Sequence, residues 1–222
     1  MQFSQRLFSK AKPIWESYLE HPFLKELSQG TLEDDKFSFY VKQDYVYLID
    51  YIKIFALGMV KSDTLEDMQA FSKCANAIVN IEMDAHVEFA KKFGITKEEL
   101  EDTKPNASNL SYTKFMLQVS NQGSLAELVA VLLPCMWSYA FIGKTLAKDK
   151  KALEHPLYKE WILTYADEEY NKQNDWCIKL MDRLAEGLPE RQLQKLEDLF
   201  ILSSKYEYMF WDGCYKKESW VI

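Results

Sequence analysis

The stretch "FSFYVKQDYVYLIDYIKIFALGM", Phe37 to Met59, is long, free of proline and apolar around nearly its whole circumference. A surface helix carries one apolar stripe, so a segment apolar on most faces belongs in the middle of a helical bundle. Two carboxylates, Asp44 and Asp50, interrupt it. At 100° per residue, Asp44, Tyr47 and Tyr51 fall within about 60° of one another, which sets an acid beside two phenols on one stripe. A carboxylate in a core helix needs partners, because burying it alone is costly. Either it pairs with a neighbouring Lys, Arg or Tyr, or it faces a ligand's donors; the stretch leaves both open.

The rest of the chain agrees with a helical reading. Only 7 Gly and 6 Pro in 222 residues leave little material for hairpin turns. Pro13, Pro22, Pro156 and Pro189 suit first-turn or boundary positions. "SLAE" at Ser124–Glu127 and "TKEE" at Thr96–Glu99 read as capping boxes, and Gly94 and Gly187 stand where helix C-caps are expected. Helices are expected near residues 2–20, 22–29, 34–61, 64–93, 111–121, 124–148, 156–186 and 189–217, with a candidate break near Tyr165 in the seventh. The fold class is all-α, a helical bundle forming one domain over residues 1–222. The polar run "EDTKPNASNLS", Glu101–Ser111, is expected to be a long loop of the kind that often binds ligands. "LEHPFLKEL" (Leu19–Leu27) is echoed by "LEHPLYKEW" (Leu153–Trp161), read as two convergent helix starts rather than a duplication.

Composition narrows the partners. Hydrophobic content of 48% with 27% charge is globular. A net charge of -7, with "KDKK" at Lys148–Lys151 the longest basic run, gives no reason to expect nucleic acid. "MQFSQRLFSKAKPIWE" lacks the apolar centre and cleavage site of a signal peptide, and no uncharged apolar span of about 18 residues is found, so no membrane partner is expected. Cys74, Cys135, Cys177 and Cys214 form no CxxC pair and have no nearby His; free thiols point to the cytoplasm.

Two segments carry candidate chemistry. In "LLPCMWSYAF", Leu132–Phe141, Pro134 removes an amide donor from an apolar helix and should kink it. Cys135 follows directly, Tyr139 lies one turn on along the same face, and Trp137 points the other way. Cys135 is either an inert small core residue or a nucleophile. In "SSKYEYMFWDGCY", Ser203–Tyr215, Glu207 sits between Tyr206 and Tyr208, with Phe210 and Trp211 one turn beyond. Packed among them it would be desolvated and suited to donate a proton near neutral pH; facing water it would be an ordinary surface residue. A metal reading finds Glu82 and His86 on one face in "EMDAHVE", one residue too far apart for the Glu-x-x-His pairs of a di-iron bundle. A haem ligand needs only His21 or His86, and nothing else supports it.

Taken together, "QDYVYLIDY" (Gln43–Tyr51), Tyr112, "LLPCMWSY" (Leu132–Tyr139), "TYAD" (Thr164–Asp167) and "SSKYEYMFWDGCY" resemble thiaminase II, the TenA-type aminopyrimidine aminohydrolases, essentially from end to end. The Cys matters, because relatives lacking it are thought to act on different substrates. The resemblance implies a fold like that of haem oxygenase, without haem, and a homotetramer that salvages the pyrimidine half of thiamin. It implies Cys135 as nucleophile and Glu207 as the acid that protonates the ring nitrogen. Asp44 would accept hydrogen bonds from the 4-amino group, Tyr112 and Tyr165 would bond around the ring, and Tyr47, Tyr51 and Tyr139 would build the wall. The substrate would be an aminomethylpyrimidine or thiamin itself, with no metal or organic cofactor required. The competing readings are a helical haem or di-metal oxygenase and a non-catalytic pyrimidine-binding regulator.

Overall fold

The central helix runs Asp34–Lys61, the bounds read from the sequence. Asp34 and Asp35 occupy its first turn and Lys61 its last, each matched to the sign of the helix dipole there. In the computed structural model, which describes residues 2–220, every regular element among those residues is helical. The order is α1 (Phe3–Glu20), α2 (Pro22–Gln29), α3 (Asp34–Lys61), α4 (Leu65–Ala77), a π-helical turn (Ile78–Glu82), α5 (Met83–Lys91), α6 (Lys97–Asp102), α7 (Ala107–Gln122) and α8 (Leu125–Leu146). A 3₁₀ turn (Lys151–Leu153), α9 (Pro156–Ala166), α10 (Glu168–Ala185) and α11 (Glu190–Tyr215) complete it. The expected domain limits 1 and 222 lie outside the described residues.

These elements group into two compact units. Unit one takes the chain as far as Leu32 together with Val129–Trp211; unit two takes Glu33–Leu128 and the chain from Asp212 onward. In unit one, α1 buries Leu7, Ala11, Trp15 and Tyr18 at helical spacing. Trp15 is packed by Phe8, Trp137, Phe141 and Phe200, with ring centroids 5.4–6.0 Å away. In unit two, α3 packs on α4, α5 and α7, and its buried aromatics continue through Phe55 to Phe71.

Helix punctuation behaves largely as read. Thr96 and Glu99 exchange the two bonds of a capping box, and so do Ser124 and Glu127. Gly94 and Gly187 adopt φ of 71° and 74°, the left-handed cap that a side chain would strain. The echoed segments are two matching helix starts: His21 accepts from Phe23 N–H and His155 from Tyr158 N–H, each with proline at the first turn.

Four expectations change. Pro13 lies inside α1 rather than at a boundary. Pro13 and Ser9, whose carbonyl loses its helical donor, are both exposed, so water can take the donor's place while the buried stripe holds the helix together. The Glu101–Ser111 loop is mostly helical, because α6 reaches Asp102 and Asn106 caps α7 by accepting from Asn109 N–H. Gln43 of α3 clamps that cap, accepting from Asn106 N–H at 2.9 Å and from Asn109 Nδ2 at 3.0 Å. The single helix expected over 64–93 contains the π turn. Finally, α8 is by length and composition apolar enough to cross a membrane, its charged residues lying near its ends. However, 78% of its most apolar stretch is buried inside the protein, as in a core helix.

Candidate active site

In unit one, α8 continues through Pro134. Donors from nearby side chains reach the carbonyls around the proline. Ser203 Oγ donates to Val131 O at 3.1 Å, Tyr170 OH to Met136 O at 3.3 Å, and Ser138 Oγ to Cys135 O at 3.4 Å. The turn that carries Cys135 is thereby tied to α10 and α11, and the residue is 9% exposed. The two faces of α8 divide as expected. Trp137 packs on Phe8 and Trp15, while Tyr139 packs on Tyr165 at 4.7 Å and Trp211 at 5.2 Å. Tyr165 closes α9 one residue before its end. The helix break falls at Asp167, whose side chain caps α10 by accepting from Glu169 and Tyr170 N–H. Asn171 Nδ2 donates back to Tyr165 O at 3.3 Å, which holds the corner.

Glu207 is 2% exposed, so the surface alternative is overturned. Its helix turns Phe210 and Trp211 inward and leaves Tyr208 at the surface. Deep beside it lies Tyr18, which sequence reasoning missed. Its hydroxyl donates to Ser204 O, and Ser204 Oγ in turn accepts from Trp15 Nε1 at 3.1 Å. Burial first, then the Glu207 charge, push the Tyr18 phenol well above its ordinary value; Cys135 adds to the effect and the bond to Ser204 opposes it. The thiol and the carboxyl therefore both bear on one phenol that stays protonated. Tyr18 left no local sign in the sequence, because its spacing along α1 reads simply as core.

Unit two holds the other candidates. Asp44 is 4% exposed. Of the two alternatives read from the sequence, the partnered one is present: Tyr40 OH donates to its Oδ2 at 3.2 Å. His86 Nε2 lies 3.2 Å from the same oxygen, a charge contact whose angle falls short of an aligned hydrogen bond. Among the described residues Asp44's partners are thus Tyr40, a donor, and His86, a charge contact, rather than Tyr47 or Tyr51. Tyr40, four residues before Asp44, was legible from spacing; His86, from another helix, was not. Tyr47 stacks on Tyr51 at 5.2 Å and meets Tyr112 at 5.6 Å, forming a phenolic wall. Burial raises Glu82 to about 7, with His86 pulling down and Asp44 pushing up. For His86 itself burial pulls down, but Asp44 and Glu82 together carry it above its ordinary value. Among the described residues no group of three or more His, Cys, Asp or Glu side chains is arranged to hold a metal ion.

Known proteins resemble this chain over nearly all of it. The TENA/THI-4/PQQC family matches residues 8–217. An aminopyrimidine aminohydrolase of Halalkalibacterium halodurans is 46% identical, covering 99% of this chain and 98% of its own. One from Helicobacter pylori is 41% identical over 97% and 100%. The solved TenA homologue from P. horikoshii OT3 superposes with a TM-score of 0.89 at 30% identity, covering 97% of this chain and 99% of that one. A Shewanella denitrificans domain with a haem oxygenase-like fold reaches a TM-score of 0.77 at 14% identity over 96% and 92%, a likeness of fold alone. This chain, all-α with the haem oxygenase-like architecture, belongs to the TENA/THI-4/PQQC family.

Proposed function

We propose that this protein is an aminopyrimidine aminohydrolase, a thiaminase II that acts in thiamin salvage. It replaces the amine on the exocyclic methylene of 4-amino-5-aminomethyl-2-methylpyrimidine, or the thiazolium of thiamin, with water. The relatives named aminopyrimidine aminohydrolase support the reaction class over the full length of the chain. What supports the mechanism is that Cys135 and Glu207 are both buried in the same unit, each acting on the proton affinity of the Tyr18 phenol.

Direct displacement at the methylene is slow, because the aromatic ring gives the leaving group little push. Cys135 instead adds to a ring carbon as the thiolate while Glu207 delivers a proton to a ring nitrogen, which removes the aromaticity. The electron pair released within the ring expels the amine and leaves an exocyclic alkene. Water adds to that carbon, the sulfur departs, and the ring proton returns to Glu207. One C–N bond is broken and one C–O bond is formed; ammonia leaves from the aminomethylpyrimidine and the neutral thiazole from thiamin. Covalent catalysis splits one hard step into easier ones, and a buried carboxyl suits the proton transfer. By the family resemblance Asp44 accepts from the 4-amino group, Tyr112 and Tyr165 bond to the ring, and Tyr47, Tyr51 and Tyr139 enclose it. The buried wall tyrosines favour stacking on a flat heterocycle. We take residues 1–222 to act as one catalytic domain, in a cytoplasmic homotetramer that needs no metal or organic cofactor.

The test is to incubate the purified protein with the aminomethylpyrimidine and with thiamin, following ammonia and hydroxymethylpyrimidine. Hydroxymethylpyrimidine release from either substrate is expected. Absence of turnover on both would remove the reading, and light scattering decides the tetramer.

A further inference from the structure

Within unit two, Asp44 is held in an asymmetric way. Tyr40 OH and His86 Nε2 both approach Oδ2 at 3.2 Å, and among the described residues none is seen to donate to Oδ1. His86 is 13% exposed at its side chain and Asp44 6%, so the pair meets largely out of water, where a charge contact is strong. The approach of His86 has a backbone cause. The π-helical turn Ile78–Glu82 lies between α4 and α5. A π turn adds one residue to its coil and so rotates the succeeding helix by about 100° relative to an unbroken α-helix. Glu82, its last residue, and His86, four residues on, share the face turned towards Asp44.

The charges are ordered as well. Burial lowers the proton affinity of His86, but Asp44 and Glu82 overcome it and favour the imidazolium. Asp44 thus faces on Oδ2 an imidazole whose charged form is favoured, with Glu82 behind it. An ionised carboxylate is an acceptor only. Fixed by one oxygen, it offers the other to an N–H donor and repels a carbonyl oxygen in the same place.

We propose that His86 is a positioning and specificity-determining residue: it pins Asp44 through Oδ2 and leaves Oδ1 as the acceptor, so that a ring bearing an exocyclic amino group is taken and the same ring bearing an oxo group is rejected. This rests on the aminohydrolase reading, in which Asp44 meets the 4-amino group.

The test uses calorimetric binding of hydroxymethylpyrimidine and its 4-oxo analogue to wild type, His86→Leu and His86→Gln. Wild type should prefer the amino compound. In His86→Leu that preference should fall by about tenfold or more, the scale of a hydrogen bond to a charged group. His86→Gln, which keeps a donor but not the charge, should retain an intermediate preference, some severalfold below wild type. Simple loosening of the fold would weaken both ligands alike and leave their ratio intact. An unchanged ratio in folded His86→Gln overturns the proposal even if His86→Leu does not fold. An unchanged ratio beside normal turnover overturns His86 alone, whereas failure of wild type to bind or turn over the amino compound removes both readings.

Discussion

The two units bury acids in opposite ways. In unit one, Glu207 lies among aromatic residues with a thiol and a phenol as its chemical company. In unit two, Asp44 lies against an imidazole and a phenol, with a second acid beyond. A carboxyl among aromatic rings, a thiol and a phenol has company suited to passing a proton, which a donor requires. A carboxyl with one oxygen set against an imidazole and a phenol is held in one orientation, which a fixed acceptor requires. The difference lies less in burial, 2% against 4% exposed, than in the neighbours.

The sharpest way to break this division is Cys135→Ala. If unit one carries the bond-making step, turnover should fall by about 10⁴-fold or more, while pyrimidine affinity stays near wild type. Full activity in the variant would end the nucleophile assignment. Glu207→Gln comes next, with an expected loss of about a thousandfold, since an amide keeps the shape but cannot deliver the proton. A loss of only a few-fold would make Glu207 a bystander despite its burial.

Gly143→Ala probes how tightly unit one holds its wall. A Cβ at position 143 would come within 2.6 Å of the Tyr165 backbone carbon and 2.8 Å of Ala166 N, and backbone cannot swing aside as a side chain can. The corner at Tyr165 must move, at a cost of about 1–3 kcal/mol. KM should rise more than kcat falls, and unchanged KM would show that Tyr165 does not bond to the ring. The corresponding close approach in unit two, Gly58 against the Phe71 ring, involves a side chain, so Gly58→Ala should disturb only local packing.

Legibility in the sequence divides between features local to one helix and features that join helices. The span of α3, both capping boxes and the opposed faces of Trp137 and Tyr139 rest on spacing within one helix, and spacing is visible in a string of letters. The π turn, the Gln43 clamp that makes Glu101–Ser111 mostly helical, and the meeting of His86 with Asp44 depend on contacts between helices remote in sequence. Pro13 is the instructive exception. Its local rule said boundary, and an exposed face together with the anchors Ala11 and Trp15 overruled it. For Cys135 and Glu207 a thiol after a proline and an acid between tyrosines each had an inert reading, and only the family resemblance proposes the chemical one.

The smallest effect is a stability slope. Burial carries Glu82 from an ordinary 4.5 to about 7, so between those values the folded chain binds a proton that the unfolded chain has released. Stability from this group is full below about pH 4.5, falls as pH rises, and is gone above about 7. His86 has the same sign: raised in the fold above 6.5, it contributes fully below that value and loses its contribution as pH climbs through the folded one. Both groups belong to unit two and share Asp44, so their slopes are coupled. Glu82→Gln should therefore flatten the dependence between pH 5 and 7, read as the difference in urea midpoints between variant and wild type. An identical slope in the two proteins would mean that Glu82 finds enough solvent to ionise normally, and the charge order behind His86 would lose its outer member.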